Sequence, residues 1–99
     1  MANWKRHERE TAKALGGERH VRSNFSESAV DVEHPVFSVE CKYRKRLPKL
    51  MTDAMAQAAS YTSEKIPLAV LKEKGRRGAF AILRLDDFKN ILTNGPGLP

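Results

Sequence analysis

Eight residues in the middle of the chain, 36–43, alternate between two sets of side chains. Phe37, Val39, Cys41 and Tyr43 form one set, and Val36, Ser38, Glu40 and Lys42 form the other. Successive side chains of a strand point to opposite faces, so the pattern predicts a strand with one face on a core. Glu40 and Lys42 then point together to the other side. A shorter β-rich run, residues 29–32, precedes it across Glu33-His34-Pro35, a turn signal. Proline is favoured at the first corner of a tight turn and disfavoured at the second. With Pro35 and Val36 as the corners, His34 pairs with Phe37, Val32 with Val39 and Asp31 with Glu40. Residues directly opposite in an antiparallel pair share a face, so Asp31, Glu40 and Lys42 fall together. A slip of one residue would set Asp31 against Val39 or Cys41 and disperse the group.

A half-buried strand needs a covering layer, and the flanking segments supply helices. Over residues 4–15, Trp4, Glu8, Thr11, Ala12 and Leu15 share one helical face, with Lys5, Arg6, Arg9, Glu10 and Lys13 on the other. Trp4 is read as a core anchor. Gly16-Gly17 ends the helix. Glu8 lies mid-way along the inward face, where a carboxylate is costly unless paired or bound to metal. Residues 19–25 read as a short mixed strand and 23–28 as a polar loop. Residues 50–61 read as a second helix with Met51, Ala54, Met55 and Ala58 on its apolar face and Gln57 and Tyr61 beside it, one turn apart. Residues 66–71 and 79–85 form a second hairpin around Lys74-Gly75-Arg76-Arg77-Gly78. Asp86 opens a last helix carrying Phe88, Ile91 and Leu92. The expected order is αβββαββα, an α/β (α+β) layer fold in one domain over residues 1–93, with a flexible tail over 94–99. A chain of 99 residues builds only a thin core.

Three carboxylates and a lysine, Glu8, Asp31, Glu40 and Lys42, are the groups that divalent-metal hydrolysis of a phosphodiester uses. Hard oxygen ligands hold Mg²⁺ or Mn²⁺. The metal polarises the phosphate and acidifies the attacking water. A lysine beside it orients that water or stabilises the negative charge of the transition state. Aspartate is depleted in strands, which makes Asp31 unusual where it stands.

Helix Glu8, then Asp31, then Glu40-Cys41-Lys42, then a helix with Gln57-Ala-Ala-Ser-Tyr61 resembles the PD-(D/E)XK nuclease superfamily. Within it the chain is similar to the small Holliday-junction resolvases of archaea and phages. The likeness runs over roughly residues 4–92, and the hairpin followed by Leu85-Asp-Asp-Phe is similar to the tails of phage resolvase-like proteins. The resemblance implies a restriction-endonuclease-like central mixed β-sheet flanked by helices. It implies metal ligation by Asp31, Glu40 and the Cys41 backbone carbonyl, with Glu8 supporting the site, in part through water. Lys42 becomes the catalytic lysine. Gln57 matches the helix glutamine near the lysine or the phosphate, and Tyr61 its partner. Arg22 and Ser23 match the arginine-serine region ahead of the aspartate. The family's aspartate often follows proline, whereas Val30 precedes Asp31 here.

The chain carries 18 Lys and Arg against 12 Asp and Glu, a formal charge of +6. Arg44, Lys45, Arg46 and Lys49 follow the proposed lysine, and Lys72, Lys74, Arg76 and Arg77 crowd the second hairpin. Either group serves by default as a solubilising surface, and the first, beside the proposed metal site, is placed to hold phosphates, which gives affinity without sequence readout. Cys41 reads as a small core residue, since its strand face is apolar. His7, His20 and His34 lack zinc-ligand spacing, and His34 reads as a turn residue. Met51 and Met55 are candidates for core or dimer interface. No apolar run approaches a membrane span, and the expected location is the cytoplasm, that of the host if the chain is phage-encoded.

The functional expectation is a Mg²⁺- or Mn²⁺-dependent endonuclease acting on DNA, with four-way junctions first and recombination as the setting. Symmetric cutting of two strands needs two sites, hence a homodimer. The alternatives are a nicking or flap nuclease of the same fold and a non-catalytic DNA-binding module.

Overall fold

The computed structural model describes residues 3–19 and 32–95. Within them the chain is α+β, in the order α1 (Asn3–Leu15), β1 (Glu18–Arg19), β2 (Val32–Glu33), α2 (Lys49–Ser60), β3 (Ala69–Leu71), β4 (Phe80–Ile82) and α3 (Leu85–Asn94). The strands pair as two two-stranded antiparallel sheets, β1–β2 and β3–β4. The chain divides into two compact units, Met1–Arg44 and Lys45–Pro99. Among the described residues no helix is long and apolar enough to cross a membrane.

In the first unit, α1 packs on β1 and β2 through its C-terminal half, where Thr11 and Ala12 are buried. The Thr11 hydroxyl donates to the His7 carbonyl at 2.8 Å, which satisfies it away from water. Gly16, at φ 74°, ends the helix in a conformation that favours glycine. The Gly17 amide then donates to the Ala12 carbonyl at 2.9 Å and the Gly16 amide to that of Lys13 at 3.4 Å, a pair of bonds that closes the last turn. A Cβ on Gly17 would overlap the carbonyl oxygen of Glu33 and stand 3.0 Å from Val32 Cγ1. The helix end and β2 therefore touch backbone to backbone.

Val32 is the centre of this unit and is fully buried. It pairs with Arg19 on one side and forms an antiparallel bridge with Val39 on the other. The Val32↔Val39 register is the one expected from Pro35 and Val36 as turn corners. Burying such a side chain contributes roughly 1.5–3 kcal/mol. Among the described residues the strand expected over residues 36–43 shows that one bridge, and residues 29–31, its expected partners beyond Val32, lie outside the described residues. At the turn, the His34 Nδ1 accepts from the amides of Val36 (3.0 Å) and Phe37 (3.3 Å). The alternation of faces nevertheless survives: Phe37, Val39 and Cys41 are half-buried, while Val36, Ser38, Glu40 and Lys42 are exposed. Tyr43 breaks the pattern at 48 % exposure. Trp4 is likewise not a core anchor. It is half exposed, on the N-terminal turn of α1, with the Lys5 ammonium 5.3 Å from its ring centroid.

The His34 ring joins three pieces of chain. Because Nδ1 accepts two bonds, the proton sits on Nε2, which donates to the Leu15 carbonyl at 3.0 Å. The ring also tilts against Phe37 with centroids 4.9 Å apart. His34→Ala is expected to cost about 1–3 kcal/mol through the loss of three hydrogen bonds, two part-buried and one exposed, at roughly 0.5–1.5 kcal/mol each. His34→Asn retains an acceptor for the turn but cannot span to Leu15, so it should fall between wild type and alanine in thermal denaturation. Equal melting of all three proteins would show that the ring bonds contribute nothing.

In the second unit, α2 buries part of its surface through Met51, Ala54, Met55 and Ala58, the expected face, and its other residues are exposed. Pro48 precedes the helix at φ −53°, and Lys49 pairs with Asp53 at 2.6 Å one turn on. The helix packs on β3, whose Ala69 is buried. The expected hairpin forms over shorter strands than the runs 66–71 and 79–85, and its ladder pairs Ala69 with Ile82, Val70 with Ala81 and Leu71 with Phe80. Asp86 and Asp87 stand in the first turn of α3, where the helix dipole favours negative charge. Phe88 and Ile91 are half-buried, whereas Leu92, expected in the core, is 45 % exposed.

Candidate functional site

The residues singled out from the sequence fall in both units, and each unit presents its own set. In the first, Glu40 and Lys42 lie two positions apart on the exposed side of an extended segment, with Lys42 Nζ 3.8 Å from Glu40 Oε2. Each side chain is 62 % exposed. An ion pair this long and this open to solvent contributes little to stability. It does hold a carboxylate and an ammonium on one face, as the strand pattern requires. Cys41, between them, points the other way, is half-buried and forms no disulfide.

Glu8 is half-buried in the middle of α1. Its neighbour His7 meets Tyr43 with ring centroids 5.9 Å apart, which sets α1 beside the segment carrying Glu40 and Lys42. Tyr43, expected on the core face, thus takes part in a contact that strand alternation alone does not reveal. Asp31, Arg22 and Ser23 lie outside the described residues. Among the described residues no three His, Cys, Asp or Glu side chains gather as a metal cage, and Asp31 is not one of those residues. Arg44 is exposed and donates from Nη1 to the Tyr43 carbonyl at 3.1 Å.

In the second unit, Lys45 and Arg46 are exposed ahead of α2. Arg46, Leu47, Lys49 and Thr52 line a shallow hollow at the start of that helix. Lys49 is partly committed, since its ammonium pairs with Asp53. Gln57 is exposed on α2, and its backbone carbonyl accepts from the Ser60 hydroxyl at 2.6 Å. Tyr61 caps the helix and is 74 % exposed, its amide donating to the Ala58 carbonyl. The side chains of Gln57 and Tyr61, one turn apart, are both open to a ligand.

No protein-family model, curated protein or solved structure matches the chain.

Proposed function

We propose that the chain is a divalent-metal-dependent DNA endonuclease of the PD-(D/E)XK type, selective for branched DNA with the four-way junction first, and active as a homodimer. The observation that carries this reading is the Val32↔Val39 register together with the co-facing Glu40 and Lys42. In that register the reading makes Asp31 the cross-strand neighbour of Glu40. Aspartate, glutamate and a backbone carbonyl are hard oxygen donors, and the exposed Glu40 carboxylate is a donor type that suits a Mg²⁺ or Mn²⁺ ion. Asp31, Glu40 and the Cys41 carbonyl would hold that ion, with Glu8 behind them. When bound, the ion supplies phosphate polarisation and a more acidic water.

The remaining work falls to the chain's own side chains. Lys42 places a positive charge next to the reacting phosphate and donates to the attacking water or to the oxygen on which charge develops. Gln57 and Tyr61 offer neutral donors to the phosphate. Arg22, Ser23, Arg44, Lys45, Arg46 and Lys49 bind the backbone on either side of the cut, contacts that position DNA without reading its sequence. The net charge of +6 offsets the repulsion that three carboxylates would exert on a phosphate.

The test is a set of labelled junction, flap, nicked, duplex and single-stranded DNAs, each with Mg²⁺ and with EDTA. The expected result is cutting of the junction first, abolished by EDTA. Faster cutting of flaps or a single nick in duplex would replace the junction assignment with the related nuclease. Tight junction binding with intact DNA in both Mg²⁺ and Mn²⁺ would leave a DNA-binding module.

A further inference from the structure

We infer that the tip of the β3–β4 hairpin is a second nucleic-acid contact, with Lys74 and Arg77 on phosphates and the Phe80 ring stacked on an unpaired base. The inference rests on the reading of the chain as a protein that acts on DNA.

Residues 72–78 carry four cations and one carboxylate, and the structure divides the cations into two kinds. Two build the loop. The Lys72 ammonium turns inward and donates to the Arg76 carbonyl at 2.6 Å and to that of Gly78 at 3.4 Å. Arg76 pairs with Glu73, and its amide donates to the Glu73 carbonyl at 3.2 Å. Gly75 and Gly78, at φ 84° and 83°, supply the bends. The other two cations, Lys74 and Arg77, are exposed and make no ion pair or hydrogen bond among the described residues. The only carboxylate of the loop is already neutralised by Arg76, so the two remaining charges face outward uncompensated. A loop braced by its own side chains presents them at a low ordering cost.

Phe80 stands at the base of this loop. It pairs with Leu71 and shares a sheet face with Ala69 and Ile82. Ala69 is 6 % exposed under α2, yet Phe80 is 78 % exposed, more than any other large apolar side chain described. Strand alternation would send Phe80 to the core. The fold instead leaves an open aromatic face three residues from an unpaired guanidinium. Cations for the backbone beside an aromatic platform for a base are the two elements by which proteins hold unpaired nucleic acid. A two-stranded ribbon is also narrow enough to enter a DNA groove. An acidic protein would satisfy the charges but need not set a flat face against the ring, whereas every unpaired base has one, so unpaired DNA is the better fit.

The test uses the full chain and two DNAs, a gapped duplex with 2-aminopurine in the gap and the same duplex without a gap. Phe80→Leu is expected to weaken binding to the gapped DNA about tenfold, within the range for losing one stacked base. It should also abolish the 2-aminopurine response, and Phe80→Tyr should restore both. Lys74→Ala with Arg77→Ala should lower the slope of log K against log salt by about 1.8 on either DNA, at roughly 0.9 for each phosphate no longer neutralised. Hairpin variants that match wild type in affinity, slope and 2-aminopurine response overturn the inference, as does a wild-type chain that binds neither DNA. If Phe80→Leu instead dissociates a dimer and leaves DNA binding unchanged, the ring faces a second copy and the inference fails. Cutting that persists with hairpin-independent binding overturns the hairpin contact alone. Hairpin-dependent binding without cutting in Mg²⁺ or Mn²⁺ overturns the endonuclease reading alone.

Discussion

Lys42→Ala is expected to slow junction cutting in Mg²⁺ by about a hundred- to a thousandfold, the range for removing a preorganised donor at the reacting group, while binding stays within a few-fold. The geometry supports the separation of the two effects. Lys42 is one exposed cation among many, so its loss removes little of the electrostatic affinity. It is also the ammonium standing 3.8 Å from the carboxylate proposed to hold the metal. Glu40→Gln provides the control of opposite sign. It should also lose cutting, yet bind DNA as well as wild type or better, because it removes a negative charge from the path of the backbone. A solvated ion pair with no chemical role would leave cutting intact in both variants. Both side chains are 62 % exposed, and thermal denaturation of each variant separates a loss of cutting from a loss of fold.

Gly17→Ala is the substitution expected to cost most stability. The added Cβ has no free space, because the Glu33 carbonyl oxygen occupies it and Val32 Cγ1 closes the other side. The obstacle is backbone, and relief requires α1 to move from the strand that carries the fully buried Val32. Overpacking of this kind costs about 1–3 kcal/mol and at times more. In a chain of this size each kcal/mol lowers the melting temperature by roughly 4–8 °C. Gly16→Ala is the informative neighbour. A Cβ there meets nothing, so the cost is limited to the strain of φ 74°, about 1 kcal/mol. A melting point lowered more by Gly16→Ala than by Gly17→Ala would show that helix-end conformation, not the helix–strand approach, dominates.

The legible parts of this fold are those set by local periodicity. Met51, Ala54, Met55 and Ala58 are identifiable because a helix without Gly or Pro has one apolar stripe to bury. The Val32↔Val39 register is identifiable because a proline at a turn corner leaves few pairings. Trp4, Tyr43 and Phe80 escape such reasoning for a common cause. Each falls on a face that periodicity assigns to the core, yet is 48 % exposed or more. Periodicity gives the direction of a side chain and not the length of what covers it. His34 shows a second limit. Histidine in a turn sequence is ordinary, and only the fold shows that its far nitrogen meets the end of α1 nineteen residues away. For the candidate site, the common face of Glu40 and Lys42 follows from alternation. The His7–Tyr43 contact that draws α1 alongside does not, since it depends on how the elements pack.

The His34 bond to Leu15 has a bearing on how the chain tolerates change. It ties residue 15 to residue 34 through a side chain, beside the pairing of β1 with β2. The entropy of closing a flexible loop rises only with the logarithm of its length. Modest insertions or deletions within residues 24–28, which carry none of the proposed site residues, should therefore shift stability by well under about 1 kcal/mol, provided β1 and β2 still pair. The helix bearing Glu8 and the turn leading to Glu40 then stay in register with each other.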